Sequence, residues 1–393
     1  MKDQISKSQD VILNTYSKFP IVFEKGEGNY LIDTEGNKYL DFVAGIAVNA
    51  LGYNNPEIKE AINEVLNNGI LHTSNLYWHN YELKAGEKLT NLSQLKKAFY
   101  CNSGAEANEA ALKLARKFGS IDNRYKIISM NHSFHGRTYG AVTATGQKKY
   151  HKNFFPLLNG IEYADFNDLK SVEDKIDNEV CAIIVEPLQG EGGIIPSTKE
   201  FLQGLRDLAD KHNLLLIFDE VQCGMGRCGK PFCFQNYNVK PDVLTLAKAL
   251  GGGIPCGAMV VGDKADNIFI PGDHASTFGG NLVALNASSV ILSKLEDESF
   301  IKEIQEKGNY LEKGLKSLSK KYPNKIKSVR GLGLMQGIIV NIDPIQIIQE
   351  CLKEKLLILK AGNDVIRFVP PLTITKNEIE KMLKIIDNVI FKL

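Results

Sequence analysis

No apolar run in this sequence approaches the roughly 20 residues that span a bilayer; Cys181–Val185 and Leu214–Phe218 are among the longest. The opening residues, Met1 to Asp10, are polar and mixed in charge, so a secretory leader is not expected. Net charge is almost absent: 47 Lys and Arg against 46 Asp and Glu leave +1. That balance offers no broad polyanion-binding surface and points away from nucleic acid. Cysteine is sparse and odd in number, seven in 393 residues, which fits a reducing cytoplasm better than an oxidised framework. Low-complexity stretches, Pro/Gly/Ser linkers and internal repeats are missing too. These absences argue against a membrane protein, a secreted disulfide scaffold and a disordered tail. A chain of this length buries a large core without a staple.

What is present is alternation. Between about Leu95 and Asp263, the runs Lys97–Cys101, Lys126–Met130, Val180–Val185, Leu214–Phe218, Val243–Leu246 and Gly257–Val261 read as strands separated by helical patterns. The continuous apolar run Val180–Val185 suits a strand buried on both faces. Ser103-Gly104-Ala105-Glu106 reads as a capping box opening a helix to about Phe118, and Ser197-Thr198-Lys199-Glu200 caps another. The pattern predicts an α/β fold on a mostly parallel sheet with right-handed crossovers. Later residues read differently: a long amphipathic helix from Ser299 to Leu318, strands near Leu334–Val340 and Val365–Phe368, and a capping box at Thr375-Lys376-Asn377-Glu378. They predict a smaller α+β domain. Ile21–Phe23, Tyr30–Ile32 and Lys38–Leu40, with a turn at Gly36-Asn37, read as a hairpin-like segment packed on it. The expected divisions are 1–50 for this N-terminal segment, 51–290 for the large domain and 291–393 for the small one.

In an open parallel sheet, ligands bind beyond the carboxyl ends of the strands. Four such ends carry chemistry. Ser103-Gly104-Ala105 starts a helix and can cradle an anion, or Ser103 is simply a cap. Glu186 and Glu191 lie on a glycine-rich turn. Asp219-Glu220 follow an apolar strand, as a buried acid or a solvated turn. Lys248 precedes Gly251-Gly252-Gly253. Alone it would be a snorkelling surface lysine, but its apolar neighbours Leu246, Ala247, Ala249 and Leu250 favour a desolvated, nucleophilic amine.

Three other motifs compete. Gly224 to Lys230 has the G-x-x-x-x-G-K spacing of a P-loop, but Pro231 supplies neither hydroxyl nor N–H. Gly331-Leu332-Gly333 with Gly337 is one residue out of the dinucleotide fingerprint, and reads as a turn between strands. Cys223, Cys228 and Cys233, with His132 and His135 nearby in sequence, invite zinc, yet the spacing is poor and buried inert thiols are favoured.

The string Phe218-Asp219-Glu220-Val221-Gln222-Cys223-Gly224-Met225-Gly226-Arg227, then Pro241-Asp242, then Leu246-Ala247-Lys248-Ala249-Leu250-Gly251-Gly252-Gly253, resembles the signature of class III pyridoxal-phosphate aminotransferases. Supporting stretches are Gly45-Ile46-Ala47-Val48-Asn49, Ser74-Asn75-Leu76-Tyr77, Phe134-His135-Gly136-Arg137-Thr138, Ser276-Thr277-Phe278-Gly279-Gly280-Asn281 and Arg367-Phe368-Val369-Pro370-Pro371. The likeness runs from Tyr16 to Pro371 and is closest to the acetylornithine branch.

The resemblance implies a fold-type-I transferase with pyridoxal 5'-phosphate in the large domain. Lys248 would hold the cofactor covalently and move the proton; Asp219 would pair with its pyridine nitrogen. Ser103, Gly104 and Ala105 would bind the phosphate, with Thr277 from a neighbouring subunit. Phe134 and Val221 would flank the ring, and Gln222 would reach its phenolic oxygen. Arg137 and Arg367 would bind substrate carboxylates, Glu191 would pair with Arg367 when the other substrate is present, and Tyr16 and Ile46 would also contact substrate. Cys228 and Leu282 depart from the usual Thr and Pro without touching chemistry. Ile46 stands where ornithine enzymes carry a tyrosine, which favours a donor with a masked α-amine, though 4-aminobutyrate enzymes share it. The implied reaction moves the δ-amino group of N-acetylornithine to 2-oxoglutarate, giving glutamate, in cytoplasmic arginine biosynthesis and in a homodimer with shared sites. Succinylornithine, ornithine, 4-aminobutyrate or acetyl-lysine transamination are the rivals within the class; a nucleotide-binding protein and a zinc module are those outside it.

Overall fold

A seven-stranded sheet organises the larger part of the chain, in the order Lys97–Cys101, Gly257–Val261, Val243–Leu246, Leu215–Asp219, Val180–Val185, Lys126–Met130 and Ile161–Ala164. The computed structural model describes residues 2–393, with side chains from Gln4; Met1, the first residue of the expected N-terminal segment, lies outside the described residues. All six residues of Val180–Val185 are buried, because the sheet is covered on both sides. Alternate residues divide between two cores, as the two-residue strand period requires. Ile127, Ala182, Ile184, Leu215, Ile217 and Val243 meet Ala110, Ala111 and Leu114 of the helix Gly104–Gly119. Ile128, Ile183, Val185, Leu216, Phe218 and Leu244 face the opposite way, with Leu202 and Leu205 of Lys199–Lys211 in the same core.

The sheet is mostly parallel, as expected, with one correction. Gly257–Val261 runs antiparallel to both of its neighbours. The connection from Leu246 to Gly257 is too short for a parallel crossover, which takes a dozen or more residues. Ile161–Ala164 is a strand the periodicity did not reveal, and the strand expected at Leu214–Phe218 spans Leu215–Asp219.

A four-stranded antiparallel sheet contains Ile326–Leu332, Met335–Val340, Val365–Phe368 and Leu359–Ala361, packed against Glu298–Lys321. The Gly331–Gly333 segment lies at its first turn. Phe23–Glu27, Tyr30–Asp33 and Lys38–Asp41 form an antiparallel meander whose last strand pairs in parallel with Leu356–Leu357. The expected first strand is therefore shifted toward the C-terminus. The final helix, Lys376–Lys392, opens with the expected reciprocal capping box of Thr375 and Glu378.

Candidate active site

Strand ends converge on a cavity of about 470 Å3, within the ~300–1,000 Å3 range of small-ligand sites. Its walls include Ser103, Gly104, Ala105, Phe134, Arg137, Asp219, Val221, Gln222 and Lys248, residues scattered through the chain but singled out by the sequence. Register explains the convergence. Phe218 pairs with both Val185 and Leu244, and Asp219 with Thr245, so Glu186 and Asp219 leave adjacent strands at one level, and Lys248 follows three residues beyond Thr245.

Lys248 takes a left-handed φ of 48°. For a residue with a Cβ this costs roughly 1–2 kcal/mol and persists where the surroundings impose it. Burial pushes its ammonium down to about 8; the Glu191 charge opposes that shift and the Arg367 charge adds to it.

Asp219 is held from three directions. Its Oδ2 accepts from Asn108 Nδ2 and His135 Nδ1, each at 2.7 Å, and its Oδ1 from Val221 N at 2.9 Å. Behind these, Thr245 Oγ1 donates to Asn108 Oδ1 at 2.7 Å, and His135 N donates to Thr145 Oγ1 at 2.8 Å. Asn108, His135 and Thr245 are buried, and such a network fixes the plane of the carboxylate. Glu186, also in the cavity wall, accepts from Phe134 N at 2.9 Å and Gly190 N at 3.3 Å. Burial, then the Asp219 charge, raises its carboxyl well above the ordinary range.

Ser103 caps the helix Gly104–Gly119 by accepting Glu106 N at 3.2 Å. The expected box closes one residue early, because the Glu106 carboxylate takes Asn102 N at 2.6 Å. The positive helix end still faces the cavity through Ser103, Gly104 and Ala105. Glycine is required at 104, since a Cβ there would lie 2.6 Å from Val221 Cγ1.

Arg137 reaches the cavity with its guanidinium 3.9 Å from the Tyr150 ring centre and 5.6 Å from that of Phe134. Arg367, on Val365–Phe368, is 2% exposed, pairs with Glu191 and donates to Gln222 Oε1 at 3.1 Å. Burial works against a charged Glu191, but Arg367, with help from Lys248 and Gln222, outweighs it and holds the carboxyl below its ordinary range. Arg367 is therefore no solvated surface arginine.

Five expected residues are not part of the cavity wall: Arg367 and Glu191, which contact the wall residue Gln222, and three others. Tyr16 is 74% exposed, before the first strand. Thr277 is exposed next to Ser276, whose Oγ accepts from Asn102 Nδ2 at 3.1 Å. Ile46 is half-buried in a left-handed turn, and its neighbour Val48 lines the cavity instead. Conversely, Asn108, His135, Thr245 and Tyr150 join the site without having been assigned a part in it, and Glu186, noted at a strand end, lines the cavity. Asn108 had a readable signal: it follows Gly104 by four residues, on the same helix face, in an alanine-rich stretch. Tyr150 had none. Cys223, Cys228 and Cys233 are free and buried, and among the described residues no His, Cys, Asp or Glu cluster is arranged to hold a metal ion.

Residues 11–390 match the family model for aminotransferase class-III. The acetylornithine aminotransferase of Clostridium acetobutylicum is 47% identical over 97% of this chain and 99% of its own. The N-acetylornithine aminotransferase structure from Stenotrophomonas maltophilia superposes with a TM-score of 0.84 at 36% identity, covering 99% of this chain and 98% of that one. An ornithine aminotransferase structure from Toxoplasma gondii, with partial occupancy of PLP at its active site, gives 0.94 at 29% identity, covering 100% and 94%.

Proposed function

The chain belongs to the class-III aminotransferases, and from that premise we propose that it uses pyridoxal 5'-phosphate to move the δ-amino group of N2-acetyl-L-ornithine to 2-oxoglutarate. The products are N-acetyl-L-glutamate 5-semialdehyde and L-glutamate, placing the enzyme in arginine biosynthesis, in the cytoplasm, as a homodimer. No helix among the described residues is long and apolar enough to cross a membrane.

One observation carries the chemistry: a desolvated lysine with a strained backbone shares a cavity with a rigidly held carboxylate and an open helix N-terminus. That donor set fits the cofactor. Ser103, Gly104 and Ala105 would hold its phosphate, with Thr277 contributed across the dimer. Phe134, Val221, Gln222, Asp219 and Lys248 would hold its ring and aldehyde. When bound, pyridoxal phosphate supplies a carbonyl that accepts amino groups and a cationic ring that takes up the electrons released at the neighbouring carbon. Lys248 Nζ removes and returns the proton at that substrate carbon, which suits an amine brought to about 8. Asp219 would pair with the ring nitrogen, and Asn108 and His135 orient Asp219. Losing one partner of such a buried pair typically costs about 3–5 kcal/mol.

Arg137 and Arg367 bind carboxylates. Glu191 neutralises Arg367 while a monocarboxylic donor is bound, then yields to the second carboxylate of glutamate or 2-oxoglutarate. The turn that carries Ile46 presents Val48 to the cavity, and neither side chain offers an acceptor for a free α-amine, which favours the acetylated donor. The purified protein is expected to be yellow, with a visible band that glutamate abolishes and a borohydride-fixed pyridoxyl group on Lys248. Steady-state rates with acetylornithine, succinylornithine, ornithine, 4-aminobutyrate and acetyl-lysine test the substrate. The highest kcat/KM is expected for acetylornithine, and a 4-aminobutyrate optimum would refute the pathway assignment.

A further inference from the structure

Residues 44–47 make one left-handed turn: Ala44, Gly45, Ile46 and Ala47 have φ of 51°, 66°, 64° and 65°. Three of the four carry a Cβ, and Ile46 is β-branched, for which this region is an outlier. The group that imposes the turn is Asp41, only 1% exposed. Its Oδ1 accepts from Val43 N at 2.7 Å and Ala44 N at 3.0 Å, while its Oδ2 accepts from the Tyr53 hydroxyl at 2.5 Å. Tyr53 accepts in turn from Asn49 Nδ2 at 3.3 Å. Ala44 O closes the turn by accepting Val48 N at 2.7 Å and Asn49 N at 2.9 Å.

The turn abuts the site on two sides. Val48 is part of the cavity wall. Ala47 is buried in a cluster with Ile194, Cys223, Val365 and Val369, which lie close in sequence to Glu191, Gln222 and Arg367. We infer that Asp41 and Tyr53 are positioning residues: the bond between them locks the left-handed turn, and the turn fixes both Val48 and the apolar backing of the Arg367–Glu191–Gln222 group. Donor binding is thereby set from outside the cavity. This rests on the aminotransferase reading and names two further residues that tune it.

Tyr53→Phe keeps the ring and deletes the hydroxyl. In the holoenzyme, KM for acetylornithine is expected to rise about tenfold with kcat within about twofold, as for loss of one hydrogen bond to a charged group that acts on binding. Amide hydrogen exchange at residues 43–49 should quicken while the rest of the chain is unchanged. Adding Ala44→Gly, which lifts the left-handed penalty at one position, should return both readouts most of the way. Unchanged KM and exchange in Tyr53→Phe, or no recovery in the double variant, overturns the inference. If Tyr53→Phe does not fold, Asn49→Ala removes only the outer donor; faster exchange at 43–49 with a smaller KM rise supports the locked turn, and no change in either sinks it. Exchange is read without substrate, so a wild-type protein inactive toward acetylornithine would refute the substrate reading and leave the locked turn standing.

Discussion

Lys248 shows how one side chain's surroundings set its protonation. Burial favours its neutral amine, and the Glu191 and Arg367 charges act in opposite senses upon it. A lysine near 8 in the folded chain and 10.5 when unfolded binds fewer protons folded, so the cofactor-free protein gains stability as pH rises from about 8 to 10.5. In the cofactor-free protein an amine-acylating reagent, followed by peptide mass analysis, should label Lys248 with half-maximal rate near pH 8 and surface lysines near their ordinary value of about 10.4. A Lys248 profile like the others would contradict the assigned desolvation. Arg137 illustrates a different dependence. Its guanidinium lies over the Tyr150 and Phe134 rings, contacts worth about 0.5–2 kcal/mol. Tyr150→Leu is expected to raise KM for 2-oxoglutarate about three- to tenfold, whereas Tyr150→Phe, which keeps the ring, should stay within about twofold of wild type. Equal losses in both variants would point to the hydroxyl instead. The sequence reveals Arg137 because it belongs to a compact motif; Tyr150 meets it across an intervening helix, where no periodicity links them.

Elements were legible where burial leaves a one-dimensional trace. Lys97–Cys101, Lys126–Met130, Val180–Val185, Val243–Leu246, Gly257–Val261 and Val365–Phe368 occupy the expected limits; in Val180–Val185, Val243–Leu246 and Gly257–Val261 both-face burial writes a near-continuous apolar run. Strand direction leaves no such trace, although the short Leu246–Gly257 connection does restrict it. The layer behind Asp219 was illegible for a related reason: Asn108, His135 and Thr245 come from a helix, a loop and a neighbouring strand, and only register brings them together. The helix Gly104–Gly119 joins these levels, since its first turn faces the cavity and its fifth residue, Asn108, holds Asp219. Gly104→Ala should therefore act on the site more than on the fold. Alanine is the better helix former, but its Cβ at 2.6 Å from Val221 Cγ1 must displace Val221 or the helix start. Overpacking of this kind costs about 1–3 kcal/mol, so pyridoxal-phosphate affinity is expected to fall roughly tenfold or more with little loss of helical circular dichroism. An unaltered affinity would show that the close contact relaxes harmlessly.

On the scale of the whole molecule, one exposed apolar surface bears on the site. Leu76, Tyr77 and Trp78 are 86%, 70% and 94% exposed, and Phe278 is 61% exposed. Asn75 Nδ2 donates to Ser276 O at 2.6 Å and His79 Nε2 to Gly280 O at 3.1 Å, which ties the segment 75–79 to the segment 276–280 that carries Thr277. Exposed apolar groups concentrated in this way mark an association surface, and Thr277 is the residue the proposed homodimer lends to its neighbour's cofactor. Trp78 is the chain's one tryptophan, so its fluorescence reports directly on this face. In the dimer its emission should be blue-shifted by burial. Dilution should move it to the red of a solvated indole, with activity falling over the same concentration range, since each site would lose its Thr277. Leu76→Asp should shift that transition to higher protein concentration while leaving far-ultraviolet circular dichroism intact. A red, concentration-independent emission from a fully active enzyme would mean that this face pairs with nothing and that one subunit suffices for catalysis.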